Sequence, residues 1–142
     1  MADFLTSFRV TASGLAAQRL RLNLIAENVA NAQTTRTAEG GPYKRKDPVF
    51  SAKPFNEMLS VEAAAGATGV SVDRVHVDER PPRMQYDPSH PDANKQGYVA
   101  MPNIDMVTEM VNMMSASRSY ESNVSVLNAS KAMALKALEI GR

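Results

Sequence analysis

Two histidines and their acidic neighbours are the side chains best suited to chemistry in this sequence of 142 residues. His90 stands between Asp87 and Asp92, and His76 stands two residues before Asp78. Imidazole and carboxylate groups are zinc ligands, so His90 and the two nearest aspartates could hold one ion. A stable site needs further ligands and supporting hydrogen bonds, and none stands at a suitable spacing. We therefore expect His90 to be a hydrogen-bonding loop residue, and we predict no metal site and no cofactor.

No other catalytic arrangement is visible in the sequence. The chain has no cysteine, which excludes disulfides, thiolate metal sites and cysteine nucleophiles. It carries no phosphate-binding glycine loop, no nucleophile-elbow serine and no zinc-protease histidine pair. The net charge of +1 gives no general attraction to nucleic acid, and the basic run of residues 44–46 is too short to bind a phosphate backbone. The sequence therefore predicts that the protein is not an enzyme and does not bind nucleic acid.

The positions of the eight prolines divide the chain into three parts, because all of them lie from Pro42 to Pro102. Proline lacks a backbone N–H and clashes with the preceding helical turn, so a long helix cannot continue through it. We predict an N-terminal helix in residues 1–35, a β-hairpin and loop segment in 36–101, and a C-terminal helix in 102–142. The predicted fold class is mainly α, with antiparallel terminal helices that form a coiled-coil-like hairpin around a small irregular β-containing middle segment.

The N-terminal segment has the apolar periodicity of a helix that packs on one face. Apolar residues recur every three or four positions, and a seven-residue thread through them is typical of coiled-coil packing. Asparagines mark its predicted exit, and they could cap the helix end or bridge to a neighbouring helix. The predicted assembly contacts from this helix are Phe8, Leu15, Leu22, Ile25, Asn28, Val29 and Asn31.

The C-terminal segment repeats the pattern, with no glycine or proline from residue 103 to residue 140. Asn103 is the predicted N-cap of this helix, since its side chain can accept a bond from a free backbone N–H. Its methionines either fill gaps in a core or form an adaptable contact surface, and the sequence leaves both open. The predicted assembly contacts are Met106, Met110, Met113, Tyr120, Asn123, Val124, Leu127 and Leu138.

The middle segment has the alternation of short strands. Residues 70–72 and 75–77 each alternate, and the phase slip between them predicts a bulged strand. Residues 43–50 and 83–87 are predicted partners in a small antiparallel sheet, and residues 53–69 are predicted to be a poorly specified loop. Two paired helices and two or three strands leave much apolar surface in water, and such patches mark interaction sites. We therefore expect self-assembly, and contacts that do not close into a ring produce a helical filament.

Targeting signals are absent from the start of the sequence. No basic segment leads into an apolar block, and no apolar run approaches the roughly 20 residues needed to cross a bilayer. We expect a chain that is soluble when made, has no direct membrane span, and leaves the cytoplasm, if it does, by a route other than Sec.

Several motifs together identify a family. The first helix carries Ser13-Gly14-Leu15 and then Ala26-Glu27-Asn28-Val29-Ala30-Asn31 before Thr34-Thr35. The middle carries Gly41-Pro42-Tyr43-Lys44-Arg45-Lys46 and Tyr86-Asp87-Pro88-Ser89-His90-Pro91-Asp92-Ala93. The last helix carries Ala116-Ser117-Arg118-Ser119-Tyr120-Glu121-Ser122-Asn123. Over nearly its whole length the sequence resembles the rod proteins of the bacterial flagellar basal body, most closely those of the proximal rod.

The resemblance implies a structural subunit that assembles helically into the hollow drive shaft, which transmits torque and lets exported subunits pass. It implies a periplasmic location in the basal body and export by the flagellar type III apparatus without a cleaved signal peptide. The implied partners are copies of the chain itself, the other proximal-rod proteins, the rod-base adaptor at the export gate and the distal-rod protein. The alternative function is that of a non-structural helical-hairpin adaptor or type III secretion partner.

Overall fold

The computed structural model describes residues 2–54 and 68–140 of the chain. Two long helices stand at the ends, α1 over Ala2–Ala30 and α2 over Met106–Ile140. Four strands lie between them: β1 (Lys46–Pro54), β2 (Thr68–Val77), β3 (Arg83–Tyr86) and β4 (Tyr98–Met101). The predicted terminal helices and strand-bearing middle segment are therefore confirmed. The predicted loop over 53–69 lies almost entirely outside the described residues.

The strands form two separate antiparallel sheets of two strands each. β1 pairs with β2, and the register shifts so that Val49 lies opposite Arg74 while Phe50 lies opposite Val72. Asp73 is therefore the extra residue of a β-bulge, which confirms the bulged strand predicted from the phase slip. The two segments predicted as sheet partners lie in different sheets. Residues 43–50 overlap β1, which pairs with β2, and residues 83–87 overlap β3, which pairs with β4, a strand that the sequence analysis did not predict. An eleven-residue loop, residues 87–97, joins β3 to β4, so the two partners of this sheet are close in the sequence.

Helix α2 begins later than the sequence suggested. Asp105 is its N-cap: the Asp105 Oδ1 atom accepts the Val107 N–H at 3.1 Å, and the Asp105 carbonyl accepts the Glu109 N–H at 3.0 Å. The Thr108 hydroxyl also donates to the Asp105 carboxylate, and these bonds, led by the Thr108 side chain, lower the pKa of Asp105. The prediction that Asn103 is the cap is wrong, since a carboxylate beside the positive helix end is a stronger acceptor.

The core lies where α1, the start of α2 and the two sheets meet. Its buried apolar residues come from α1, α2, β4 and the segments that precede β1 and α2, and they are Ala17, Leu24, Ile25, Tyr43, Val99, Ile104 and Ala116. Two polar side chains, Asn28 and Glu109, are buried at the same place. Only five of these seven apolar side chains are larger than alanine, so few side chains fix the position of the helices by bulk alone. Specific polar contacts carry part of that task.

Candidate assembly interface

Asn28 holds the end of α1 against the start of β1. Its Oδ1 atom accepts the Lys46 N–H at 2.9 Å, and its Nδ2 atom donates to the Lys46 carbonyl at 2.9 Å. The Tyr43 hydroxyl donates to the same Oδ1 at 3.2 Å, and Nδ2 donates to Glu109 Oε2 at 3.2 Å. An amide side chain offers two donors and two acceptor sites, and this side chain uses all four. Asn28 therefore joins three segments inside the chain, and it is neither a helix-end cap nor exposed to a neighbouring subunit.

Glu109 is the charged member of this cluster. Its side chain is 1% exposed, and the Arg45 Nε donates to its Oε1 at 2.8 Å. Arg45 also pairs with Asp47, which lies toward solvent. A buried carboxylate is tolerated only when it is paired and hydrogen-bonded, and both conditions hold here. We call the group formed by Asn28, Tyr43, Arg45, Lys46 and Glu109 the polar bracket, because it ties α1, β1 and α2 together.

Tyr43 lies inside the polar bracket as a neutral phenol. Burial, together with the charge and hydrogen bonding of Glu27, raises the pKa of Tyr43 to about 12. The Lys46 ammonium lies 5.5 Å from the centre of the Tyr43 ring and also pairs with Glu27. Arg45 and Lys46, two of the three residues in the basic run 44–46, therefore make their contacts within the chain. The run therefore serves intramolecular packing, in place of a solvated basic surface.

The contacts of Ser13 and Gly14 give a structural reason for the Ser13-Gly14-Leu15 motif of α1. The Ser13 hydroxyl accepts the Val70 N–H at 3.1 Å, which docks the β1–β2 hairpin on α1. A Cβ atom on Gly14 would lie 3.3 Å from Asn123 Nδ2, so the absence of a side chain lets α2 come close. One residue therefore anchors the hairpin, and the next sets the distance between the two helices.

The end of α1 is closed by a cap and a loop contact. The Asn31 Nδ2 donates to the Glu27 carbonyl at 2.9 Å, and its Oδ1 accepts the Thr34 hydroxyl at 3.1 Å. The capping alternative is therefore the one observed for Asn31. The Thr35 hydroxyl donates to Asp92 at 2.8 Å, which fastens the loop between β3 and β4 to this exit. Asn31, Thr34 and Thr35, which stand close together in one motif, therefore form one continuous set of contacts at the end of α1.

His90 belongs to that loop. Its Nδ1 accepts the Asp92 N–H at 3.1 Å, which confirms the predicted hydrogen-bonding role. Asp87 accepts bonds from the Ser89 hydroxyl and backbone N–H, led by the hydroxyl, and these lower the pKa of Asp87. Within residues 2–54 and 68–140, no three His, Asp or Glu side chains are grouped so that they could hold a metal ion. The loop is therefore a structural turn that the neighbouring carboxylates stabilise.

The structure divides the predicted assembly residues into three groups. Ile25 and Asn28 are buried inside the chain. The half-buried group comprises Leu15, Leu22, Val29, Asn31, Met113, Tyr120, Asn123, Val124 and Leu127. The exposed group comprises Phe8, Met106, Met110 and Leu138. The predicted assembly residues therefore lie mainly on the face that each helix turns toward the rest of the same chain.

A second apolar face on α2 was missed by the sequence reading. Val107, Met110, Val111 and Met114 have exposed fractions of 69%, 54%, 54% and 56%. Successive residues of an α-helix turn by about 100°, so these four share one face, opposite the buried Glu109 and Ala116. In the sequence this face corresponds to three apolar residues that the predicted assembly contacts do not include: Val107, Val111 and Met114. In the described part of the chain, neither helix is long and apolar enough to span a membrane.

Comparisons with known proteins match the two ends and then the whole chain. The family model described as flagella basal body rod protein matches residues 8–36, and that described as flagellar basal body rod FlgEFG protein C-terminal matches residues 95–140. The flagellar basal-body rod protein FlgC of Salmonella typhimurium is 45% identical over 140 residues, with 97% of this chain and 98% of that protein covered. The FlgC of Bacillus subtilis is 42% identical over 146 residues, with 96% and 97% covered.

A third relative comes from a distant bacterial group. The flagellar basal-body rod protein FlgC of Borreliella burgdorferi is 42% identical over 146 residues, with 95% of each chain covered. These relatives match this chain in length as well as in sequence, and the match includes the segments that form the polar bracket. This chain belongs to the FlgC family of flagellar basal-body rod proteins, which are structural proteins of the rod and not enzymes.

Proposed function

We propose that this structural rod subunit belongs to the proximal rod, where copies of it stack helically with other rod proteins into a hollow shaft. The shaft transmits torque and lets exported subunits pass along its channel. The observation that carries the proposal is the surface of α2, whose exposed methionines and valines are not covered by residues 2–54 and 68–140. Apolar patches of this kind mark interaction sites. The family of the chain identifies the interaction as rod assembly.

In this proposal the two helices form an antiparallel, coiled-coil-like hairpin. Two contacts support it: Gly14 of α1 lies beside Asn123 of α2, and Asn28 bonds to Glu109. As the position on α1 rises by fourteen, the position of its partner on α2 falls by fourteen. The polymerising unit is then residues 1–35 together with 102–142, and residues 36–101 form a separate middle unit.

The residues proposed for the assembly interface act in two ways. Exposed residues such as Phe8, Met110 and Leu138 contact neighbouring subunits directly. Half-buried residues such as Leu22 and Val124 hold the two helices in the shape that presents those contacts. Apolar burial contributes about 25 cal/mol per Å², while exposed ion pairs contribute about 0–1 kcal/mol, so the apolar contacts dominate.

The proposed partners and location follow from the family. The partners are copies of this chain, the other proximal-rod proteins, the rod-base adaptor and the distal-rod protein. The chain reaches the periplasmic part of the basal body through the flagellar type III apparatus, without a cleaved signal peptide. Sequence resemblance to the flagellar rod proteins supports this route.

The substitutions Leu22→Asp and Val124→Asp test the proposal in cells that lack the native chain. Each places a charge among the apolar residues that hold α1 and α2 together. We therefore expect rod assembly and motility to be lost while the chain is still secreted. Motility assays, quantification of secreted chain and imaging of isolated basal bodies measure these outcomes. The substitution Arg80→Gln, at an exposed loop position, is the control and retains motility. Motile cells with complete rods in either aspartate variant would contradict the proposal, as would isolated basal bodies that lack the chain.

A further inference from the structure

We propose that the exposed face of α2 is covered by the outer row of α1 from a second copy of this chain. This inference rests on the proposed function and names the two surfaces that meet. The methionine face consists of Val107, Met110, Val111 and Met114, each at least 54% exposed. On the opposite side of the same turns, Ala116 is fully buried against the rest of the chain. A helix with apolar residues on opposite faces is stable in water only when both faces are covered.

The exposed apolar surface of α2 extends well beyond the methionine face. Large apolar side chains are exposed along the described helix from Met106 to Leu138. Apolar patches of this kind mark interaction sites. The surface of α2 therefore suits a protein whose apolar faces are covered by neighbours.

The outer row of α1 has the shape to receive the methionine face. We call this row the alanine row: Ala12, Ala16, Ala26 and Ala30 are exposed, and Arg19 and Asn23 continue it at the same spacing. The row faces away from the buried Ala17 and Leu24, so it is free of the chain's own core. Small side chains let another helix approach closely, and unbranched methionine adapts to the grooves between them.

Charge favours one alignment of the two surfaces. Arg19 in the alanine row and Glu121 beside the methionine face are both exposed. Glu121 follows Met114 by seven residues, and Arg19 precedes Ala26 by seven residues. An antiparallel alignment that pairs Arg19 with Glu121 therefore also places Ala26 against Met114. Charge complementarity of this kind selects the register, while the apolar contact supplies most of the affinity.

The two surfaces are different, so their contact is heterologous. Each copy that donates its methionine face to one neighbour still offers its alanine row to another, and the assembly continues. Contact between two methionine faces would instead form a closed dimer with two-fold symmetry. A closed dimer has no free methionine face for the next copy. The continuing arrangement is the one that a rod subunit requires.

Cysteine pairing tests this inference cleanly, because the native chain has no cysteine. Full-length chains that carry Met114→Cys and chains that carry Ala26→Cys are made with tags of different size, mixed and oxidised mildly. We expect a disulfide-linked product of mixed size on non-reducing electrophoresis, at least tenfold above either variant alone. The matched control replaces Met114→Cys with Met84→Cys, a 52% exposed methionine on β3, and forms no such excess.

Three results would overturn the inference: dominant self-linking of the Met114→Cys chain, mixed product no greater than the Met84→Cys control, or a chain that stays monomeric in sedimentation at all concentrations. Charge reversal adds an independent test. Arg19→Glu weakens association, and the double variant Arg19→Glu with Glu121→Arg restores it. A chain found in isolated basal bodies whose cysteine pair does not link keeps the proposed function and rejects this choice of surfaces.

Discussion

At the scale of single residues, polar side chains join segments that the apolar core is too small to hold. Asn28 is fully buried and makes bonds to Lys46, Tyr43 and Glu109. The buried Glu109 in turn depends on Arg45 for its countercharge. A fully bonded buried network fixes one arrangement of its segments, because any other leaves polar groups without partners. The polar bracket therefore determines how α1, β1 and α2 meet.

The substitution Asn28→Asp tests the bracket. The new carboxylate cannot donate to the Lys46 carbonyl and it repels Glu109, so we expect a loss of about 3–5 kcal/mol in the free energy of unfolding. Urea denaturation at neutral pH measures the loss. Asn103→Asp, the same change at an exposed position before α2, is the control and leaves stability almost unchanged. Equal stabilities of the two variants would show that the bracket does not hold the fold.

Tyr43 gives the fold a dependence on alkaline pH. Its pKa is about 12 in the fold and about 10 in an unfolded chain. The folded state therefore keeps the proton more strongly, and this stabilisation is complete below pH 10 and lost as pH rises through 12. We expect native stability to fall over that window relative to the Tyr43→Phe variant, measured by urea denaturation at each pH. A constant difference between the two proteins from pH 9 to pH 12 would contradict this assignment.

At the scale of elements, the spacing of the two helices depends on Gly14, which has no side chain to hold them apart. Gly14 lies where a Cβ atom would come within 3.3 Å of Asn123 Nδ2. The polar bracket fixes the helices near Asn28, and the Gly14 contact fixes them about four turns away. Two separated contacts define the direction of one helix against the other, whereas a single contact leaves a pivot. The element pair is thus oriented by small and polar residues more than by bulky apolar ones.

Substitutions at Gly14 test this spacing. Gly14→Leu is expected to lower the free energy of unfolding by about 1–3 kcal/mol, because the side chain forces the helices apart. Gly14→Ala is expected to be nearly neutral, since the shift of the Asn123 amide offsets a gain of about 1 kcal/mol in helix propensity. Ala12→Leu, on the outer face of α1, is the control. Thermal and urea unfolding at low protein concentration measure all three, and a stable Gly14→Leu variant would contradict the role of close approach.

At the scale of the whole molecule, the isolated chain leaves many large apolar side chains exposed to solvent. Its apolar residues are divided between the small core and the outer faces, where many large side chains remain exposed. The last turns of α2 carry Met133, Leu135 and Leu138 with exposed fractions above 50%, so this end of the helix also lacks cover from the described part of the chain. A rod subunit of this design gains much of its stability when neighbours cover those faces.

The apparent stability of the purified chain is therefore expected to rise with its concentration. Association of folded copies favours the folded state by mass action, so the unfolding midpoint should increase over about a hundredfold range of concentration. Calorimetry of the same sample at several dilutions measures the midpoint. The Met110→Glu variant should show a smaller increase, and Met84→Glu serves as the control at similar exposure. A midpoint independent of concentration in the native chain would contradict the prediction.

The sequence by itself was sufficient for both helices, for three of the four described strands and for the family. Proline positions predicted where the helices end, apolar periodicity predicted the faces that α1 and α2 turn toward the chain, and the phase slip predicted the bulge at Asp73. These features are local, because they depend on residues a few positions apart. Several motifs along the chain were together sufficient to indicate rod proteins, although the sequence left capping and bridging open as the roles of Asn28 and Asn31.

Only the tertiary structure decided which distant groups meet. Asn28 and Glu109 are 81 positions apart, and no local pattern predicts that one bonds the other. The choice of Asp105 over Asn103 as the cap of α2 and the pairing of β3 with β4 depended in the same way on competing partners. The second apolar face of α2 became visible once its first face was seen to be buried. Sequence patterns record how apolar a residue is, whereas the packing of the whole chain decides which apolar residues are left for a neighbour.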